Sequence, residues 1–233
     1  EAITNHLAAK NMATPQILRN KRDQLWTTDH DNGVWRLETW IDGVNVSAAK
    51  DARMCFEAGR LLGRFHEALV DCAHSFKSQR LGVHDTQKHV RTLEAAVSNQ
   101  RDHPAFEQAE ALAASILHAL ESLSLPQGLA QRIVHGDPKI NNVMFNEDGT
   151  ARCLIDLDTL AHMSVAIELG DGFRSWCNPA GEDLTAAQFD HAFFEAGIQG
   201  YASTATFLSR DEAAAIPAAI EMITLELSAR FCA

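Results

Sequence analysis

Residues 134–159 set three polar groups at fixed spacings around one hairpin, and no other stretch constrains the fold as strongly. They read Val-His-Gly-Asp-Pro-Lys-Ile-Asn-Asn-Val-Met-Phe, then Asn-Glu-Asp-Gly-Thr, then Ala-Arg-Cys-Leu-Ile-Asp-Leu-Asp-Thr. The runs 142–145 and 151–155 are apolar, and Asp148-Gly149 lies between them. Asp-Gly between such runs predicts a tight hairpin, whose two central residues take φ > 0. Closing it brings Asn142, at the start of one strand, beside Asp156, at the end of the other. A carboxamide oxygen and a carboxylate then converge on one point, as a hard octahedral Mg²⁺ requires. Any one of these pieces is explained by a polar turn or a strand-end cap. Three spaced pieces around one hairpin are what a site requires.

His135, Asp137 and Asn142 also have the H-x-D-x-x-x-x-N spacing of a kinase catalytic loop. Asp156 follows an apolar strand, where kinases carry a metal-binding aspartate. Gly136 after the His, with Ile155-Asp156-Leu157-Asp158, resembles the aminoglycoside phosphotransferase family. Matches at 135–145, 154–160, Gly170-Asp171-Gly172-Phe173-Arg174 and Val83-His84-Asp85-Thr86 resemble that family's sugar kinases of the N-acetylhexosamine 1-kinase type. The resemblance runs from about Trp35 to the last residue. It implies an α+β, protein-kinase-like fold, mostly the helical C-terminal lobe with a partial N-terminal lobe. Residues 1–43 would be the partial small lobe (helix, two strands, hinge). Residues 44–233 would be the large lobe with the catalytic loop and metal-binding hairpin. The implied cofactors are ATP and Mg²⁺, and the implied acceptor is a hydroxyl of a small molecule, a sugar or N-acetylhexosamine above all. A protein kinase fits less well, because Gly136 replaces the usual Arg and no Ala-Pro-Glu follows Asp156.

The resemblance assigns roles residue by residue. Asp137 is expected to orient the acceptor hydroxyl and take its proton. Lys139 is expected to meet the γ-phosphate or to be a solvated loop Lys. Asn142 and Asp156 are the expected metal ligands, with Asp158 a supporting or merely exposed carboxylate. His135 is expected to pack under the loop, and Asp171 to accept backbone N–H bonds from it. Arg174, three residues on, is expected to pair with Asp171 or to reach the substrate. Adenine is expected against Thr39, Trp40 and Ile41, by order along the chain. His84 and Asp85 are expected to face the acceptor, although Asp and Thr also cap helices. The family shows an Asp where this chain has Glu168, and the role of Glu168 is open.

Composition narrows the alternatives. With 31 Asp and Glu against 20 Lys and Arg, the net charge of −11 excludes a broad nucleic-acid surface. No apolar run approaches the roughly 18 residues of a membrane span, and no signal segment opens the chain. Five scattered Cys without C-x-x-C spacing point to free thiols in the cytoplasm. Oligomeric state is not readable. Helices are expected at 1–10, 48–70, 84–97, 104–123, 167–176 and 183–201, and from Ser209, which forms a capping box with Glu212. Residues 24–28 and 34–41 are strand-like. No G-x-G-x-x-G occurs, and none of the six Lys lies in an apolar strand before the hinge. A helix over 223–231 also runs on without a stop signal. The expectation is a chain truncated at both ends relative to its family. The second expectation is a non-catalytic kinase-fold remnant or nucleotide-binding module.

Overall fold

The computed structural model describes residues 1–77, 84–181 and 187–233. The chain starts with α1 (Ala2–Ala9) and the short strands β1 (Ile17–Leu18), β2 (Thr27–Thr28), β3 (Val34–Trp35) and β4 (Leu37–Glu38). Three helices follow: α2 (Ala52–Leu69), α3 (Thr86–Asn99) and α4 (Phe106–Glu121). Then come β5 (Gln131–Val134), β6 (Val143–Phe145), β7 (Ala151–Leu154) and β8 (Ala161–Ser164). The helices α5 (Val165–Trp176), α6 (His191–Ala202) and α7 (Arg210–Cys232) complete the order.

The core is built on α2. Asp51 caps it by accepting from the Met54 N–H at 2.8 Å. Its apolar stripe of Cys55, Ala58, Leu61, Leu62, Phe65 and Leu69 is buried throughout. Glycines let α6 approach closely: a Cβ on Gly200 would overlap the Phe56 carbonyl and stand 3.0 Å from the Arg60 nitrogen. At Gly197, a Cβ would stand 2.7 Å from the Phe173 ring, which ties α5 into the same core. The predicted capping box of α7 is present between Ser209 and Glu212. Glu212 does more, since its carboxylate also accepts from Arg132 of β5 at 3.0 Å. That guanidinium lies 4.4 Å over the Phe207 ring.

Two nested antiparallel pairs carry the stretch identified above. The outer pair joins β5 to β8 with Val134 opposite Ala161, and the inner pair joins β6 to β7 with Val143 opposite Leu154. Everything from 135 to 160 therefore projects from one closed base. The hairpin turn differs from the expected form. Only Gly149 takes a positive φ, at 81°, and Asp148 instead accepts from the Thr150 N–H at 2.9 Å and its hydroxyl at 2.7 Å. A longer turn with a bulge between Met144 and Phe145 needs one left-handed residue rather than two.

Other boundaries also shift. The strand-like 34–41 divides at Arg36 into β3, which pairs with β2, and β4, which pairs with β1. The helix expected from 183 starts at His191, capped by Asp190; residues 182–186 and 78–83, including Val83, lie outside the described residues. Trp35 and Trp40 are 62% and 84% exposed. No helix among the described residues is long and apolar enough to cross a membrane.

Candidate active site

α5 holds the 135–142 loop from below. Glu168 is buried and accepts from the N–H groups of His135 and Gly136, each at 2.9 Å. Seven and eight residues on, Ser175 Oγ accepts from the Ile140 N–H at 3.2 Å, and Trp176 Nε1 donates to the Pro138 carbonyl at 2.7 Å. Those offsets put all three on one helix face. His135 is fully buried; its Nε2 donates to the Ile155 carbonyl at 2.8 Å, while Nδ1 accepts from the Asp137 N–H at 3.3 Å. This pairing is that of a neutral ring. Gly136 has φ +83°, and any Cβ there would strike the Thr159 carbonyl. Only glycine lets the turn before β8 pass this close.

Behind Glu168 lies a second buried layer. His66 of α2 places Nε2 3.4 Å from the Glu168 carboxylate, and its Nδ1 meets the Tyr201 hydroxyl of α6 at 2.8 Å. Burial opposes the Glu168 charge. The contacts and charge of His66 and the Gly136 N–H outweigh it, and the carboxyl is held below its usual range.

Asp137 faces a cleft of about 690 Å³ whose lining includes His84, Lys139, Asp171, Arg174 and Arg230. Its Oδ2 lies 2.9 Å from Lys139 Nζ and accepts from Asn142 Nδ2 at 3.2 Å. The same amide nitrogen donates to the Asp137 carbonyl at 2.8 Å, so the Asn142 Oδ1 is the atom left to meet a metal. The Ile155 N–H donates to the Asn142 carbonyl at 3.0 Å, which brings Asn142 to the strand end where Asp156 follows. Asp156 is exposed, takes the left-handed conformation (φ 60°, ψ 55°), and has no hydrogen bond or ion pair among the described residues. Two hard oxygen donors beside one turn suit a hard divalent cation. A non-glycine residue in that region is a strain that functional sites tolerate.

Several expected residues stand elsewhere or do something else. Asp171 does not take the loop N–H bonds; Glu168, one turn earlier on α5, does. Asp171 instead accepts from Arg174 Nε at 3.2 Å and Nη2 at 3.0 Å, the expected pairing. Burial lifts the Asp171 carboxyl; Arg174 and His84 pull it down, and Asp137 adds a smaller lift. Thr39 is not open to an adenine: its N–H donates to the Gln16 carbonyl and its hydroxyl accepts from the Gln16 N–H, both at 2.9 Å. Trp40 neither stacks in the cleft nor packs in an interface; its Nε1 donates to Asp42 at 3.0 Å. Ile41 does not line the cleft. Asp85 caps α3 through the Lys88 N–H at 2.9 Å, while His84 does line the cleft. Asp158 pairs with Arg36 from the β3–β4 junction.

Three buried residues went unread in the sequence, His66, Tyr201 and Glu226, the last of which meets His84 at 3.1 Å, and the role left open for Glu168 is that of loop anchor. A trace of that role existed: Glu168 sits inside the apolar run Val-Ala-Ile-Glu-Leu. A second cavity, about 480 Å³ between α3, α4 and the end of α7, is lined mainly by apolar groups and contains none of the residues above.

Comparison with known proteins places the fold and the family. Residues 1–207 match the model of the phosphotransferase enzyme family. The chain is 29% identical over 222 residues to a homoserine kinase of Beijerinckia indica subsp. indica, spanning 92% of this chain and 62% of that one. The chain thus spans less than two thirds of that relative's length. Among solved structures, the fold is similar to that of the amicoumacin kinase hAmiN in complex with AMP-PNP, Ca²⁺ and Ami. The TM-score is 0.64 at 14% identity, over 97% of this chain and 66% of that one. An aminoglycoside phosphotransferase from Alicyclobacillus acidocaldarius subsp. acidocaldarius also gives 0.64 at 14% identity, over 99% and 70%. The fold is protein-kinase-like.

Proposed function

The chain belongs to the phosphotransferase enzyme family, and on that premise we propose that it serves an ATP- and Mg²⁺-dependent transfer of the γ-phosphoryl group to a hydroxyl of a small molecule. The proposed acceptor is a sugar or N-acetylhexosamine. The observation that carries the reading is Asp137, whose carboxylate lines a cleft of about 690 Å³ on a loop fastened to α5. Asp137 orients the acceptor hydroxyl and receives its proton as the acceptor oxygen bonds to the γ-phosphorus and the bond to ADP breaks. Asn142 Oδ1 and Asp156 hold the metal, which when bound neutralises charge on the phosphate oxygens. Lys139 lies on the γ-phosphate side, and Arg174 and His84 on the acceptor side. The backbone of Trp40 and Ile41 is the proposed adenine contact, with residues 1–43 as small-lobe elements and 44–233 as the large lobe. Five free cysteines support a reducing, cytoplasmic setting.

The homoserine kinase relative favours a second acceptor, a hydroxy amino acid. Arg174 and Arg230 in the cleft suit its carboxylate, and His84 lies beside them.

The test is calorimetric titration of ATP into the purified chain, with Mg²⁺ and with a chelator. Binding is expected with Mg²⁺ only, and is expected to vanish in Asp156→Ala. Equal binding in chelator, or an unchanged Mg²⁺ requirement in the variant, sinks the metal assignment. The non-catalytic alternative then stands.

A further inference from the structure

We infer that His84, held by Glu226, reads an oxygen that can only accept hydrogen bonds, carried by the acceptor beside the hydroxyl to be phosphorylated. An N-acetyl carbonyl and a carboxylate share that chemistry. The inference rests on the phosphotransfer reading, because it places the acceptor in the cleft of Asp137.

His84 lines that cleft, just before α3. Its Nδ1 lies 3.1 Å from Glu226 Oε1 of α7, and the other Glu226 oxygen accepts from the Thr86 hydroxyl at 2.9 Å. Glu226 is 2% exposed, so a buried carboxylate from one helix fixes a ring at the start of another. A carboxylate only accepts, so Nδ1 carries a proton. The remaining nitrogen, Nε2, then has two characters. It is a lone-pair acceptor when the ring is neutral and an N–H donor when the ring is charged.

The groups around the ring decide which character prevails. Among the described residues, besides Glu226, these are His89 of α3, 3.9 Å from the same Glu226 oxygen, and the carboxylates of Asp171 and Glu168 on α5. Burial works against the charged ring. The Glu226 hydrogen bond and the charges of Asp171, Glu226 and Glu168 outweigh it and lift His84 above its ordinary value of 6.5. The other described cations of the cleft are differently placed: Lys139 pairs with Asp137, Arg174 pairs with Asp171, and Arg230 is exposed.

A ligand hydroxyl both donates and accepts, so it suits either state of Nε2. A carbonyl or carboxylate oxygen suits only the charged ring. The acceptor's substituent therefore sets whether binding depends on pH.

The experiment is calorimetric binding to the purified chain between about pH 5 and 8, the window in which His titrates. Matched pairs are N-acetylglucosamine against glucose, and homoserine against 2-amino-1,4-butanediol. The expected result is a Kd that rises about tenfold with pH for the carbonyl or the carboxylate ligand, and a flat profile for its hydroxyl-only partner. Which pair shows the effect identifies the source of the oxygen. His84→Gln, whose amide donates at every pH, is expected to flatten the profile. Glu226→Gln is expected to lower the His84 midpoint followed by NMR. If that variant does not fold, the wild-type midpoint decides, and a value at or below 6.5 overturns the inference. It is also overturned by a flat wild-type profile, by pairs bound equally or not at all, or by an unchanged profile in His84→Gln. Loss of Mg²⁺-dependent nucleotide binding would instead strike the phosphotransfer reading, and the acceptor profile would still be read independently.

Discussion

Glu168 is a carboxylate at 1% exposure that keeps its charge because His66 and the N–H groups of His135 and Gly136 face it. Its pKa in the folded chain lies below the ordinary 4.5. A depressed carboxyl stabilises the fold above its unfolded value, and that contribution is lost as pH falls through the folded value. Urea unfolding should therefore show stability falling below about pH 4.5, and less steeply in Glu168→Gln. At pH 7 that variant should lose about 3–5 kcal/mol, since removing one partner leaves His66 and two N–H groups poorly matched. Asp137 behaves differently because its proposed role is in the reaction and it has few structural duties. Asp137→Asn should melt like the wild type and keep Mg²⁺-dependent ATP binding. Whatever acceptor-dependent ADP release the chain sustains should fall about 10²–10⁴-fold. Unchanged release would remove Asp137 from the mechanism.

At the scale of elements, α5 and the α2–α6 seam set the site. Gly200→Ala tests the seam: the new methyl meets backbone of Phe56 and Arg60, not a side chain that can swing away. The expected cost is about 1–3 kcal/mol, read as a lower melting temperature with the circular dichroism spectrum retained. Elements with local signals were legible in the sequence. The α2 stripe, the α7 capping box and the hairpin joining Asn142 to Asp156 each declare themselves within a few residues. The strands β5 and β8 do not, because each is four residues long and is defined only by its partner some 30 residues away. β1 and β4, two residues each, are likewise defined only by each other. For the loop anchor, Glu168 and Asp171 stand one turn apart on one helix. Both are buried, and sequence alone does not tell which carboxylate meets the loop N–H groups.

At the scale of the molecule, phosphate positioning would decide how fast the proposed transfer runs. No G-x-G-x-x-G is present, and Lys10 of the early segment is engaged with Asp71 at 2.6 Å. Phosphoryl transfer depends almost wholly on positioning and electrostatics. Little ADP release is therefore expected when the chain meets ATP, Mg²⁺ and a panel of hexoses, N-acetylhexosamines and homoserine. Rapid, acceptor-dependent release would mean that other groups hold the phosphates.

Glu212 joins two distant stretches through one carboxylate, as the cap of α7 and as the partner of Arg132 on the strand that leads into the Asp137 loop. Amides in 131–134 and 209–213 should for that reason exchange with solvent through a shared opening event, although some 80 residues separate them. Fraying at the start of α7 then becomes visible at the 135–142 loop, and Arg132→Ala should split the two stretches into separate exchange classes.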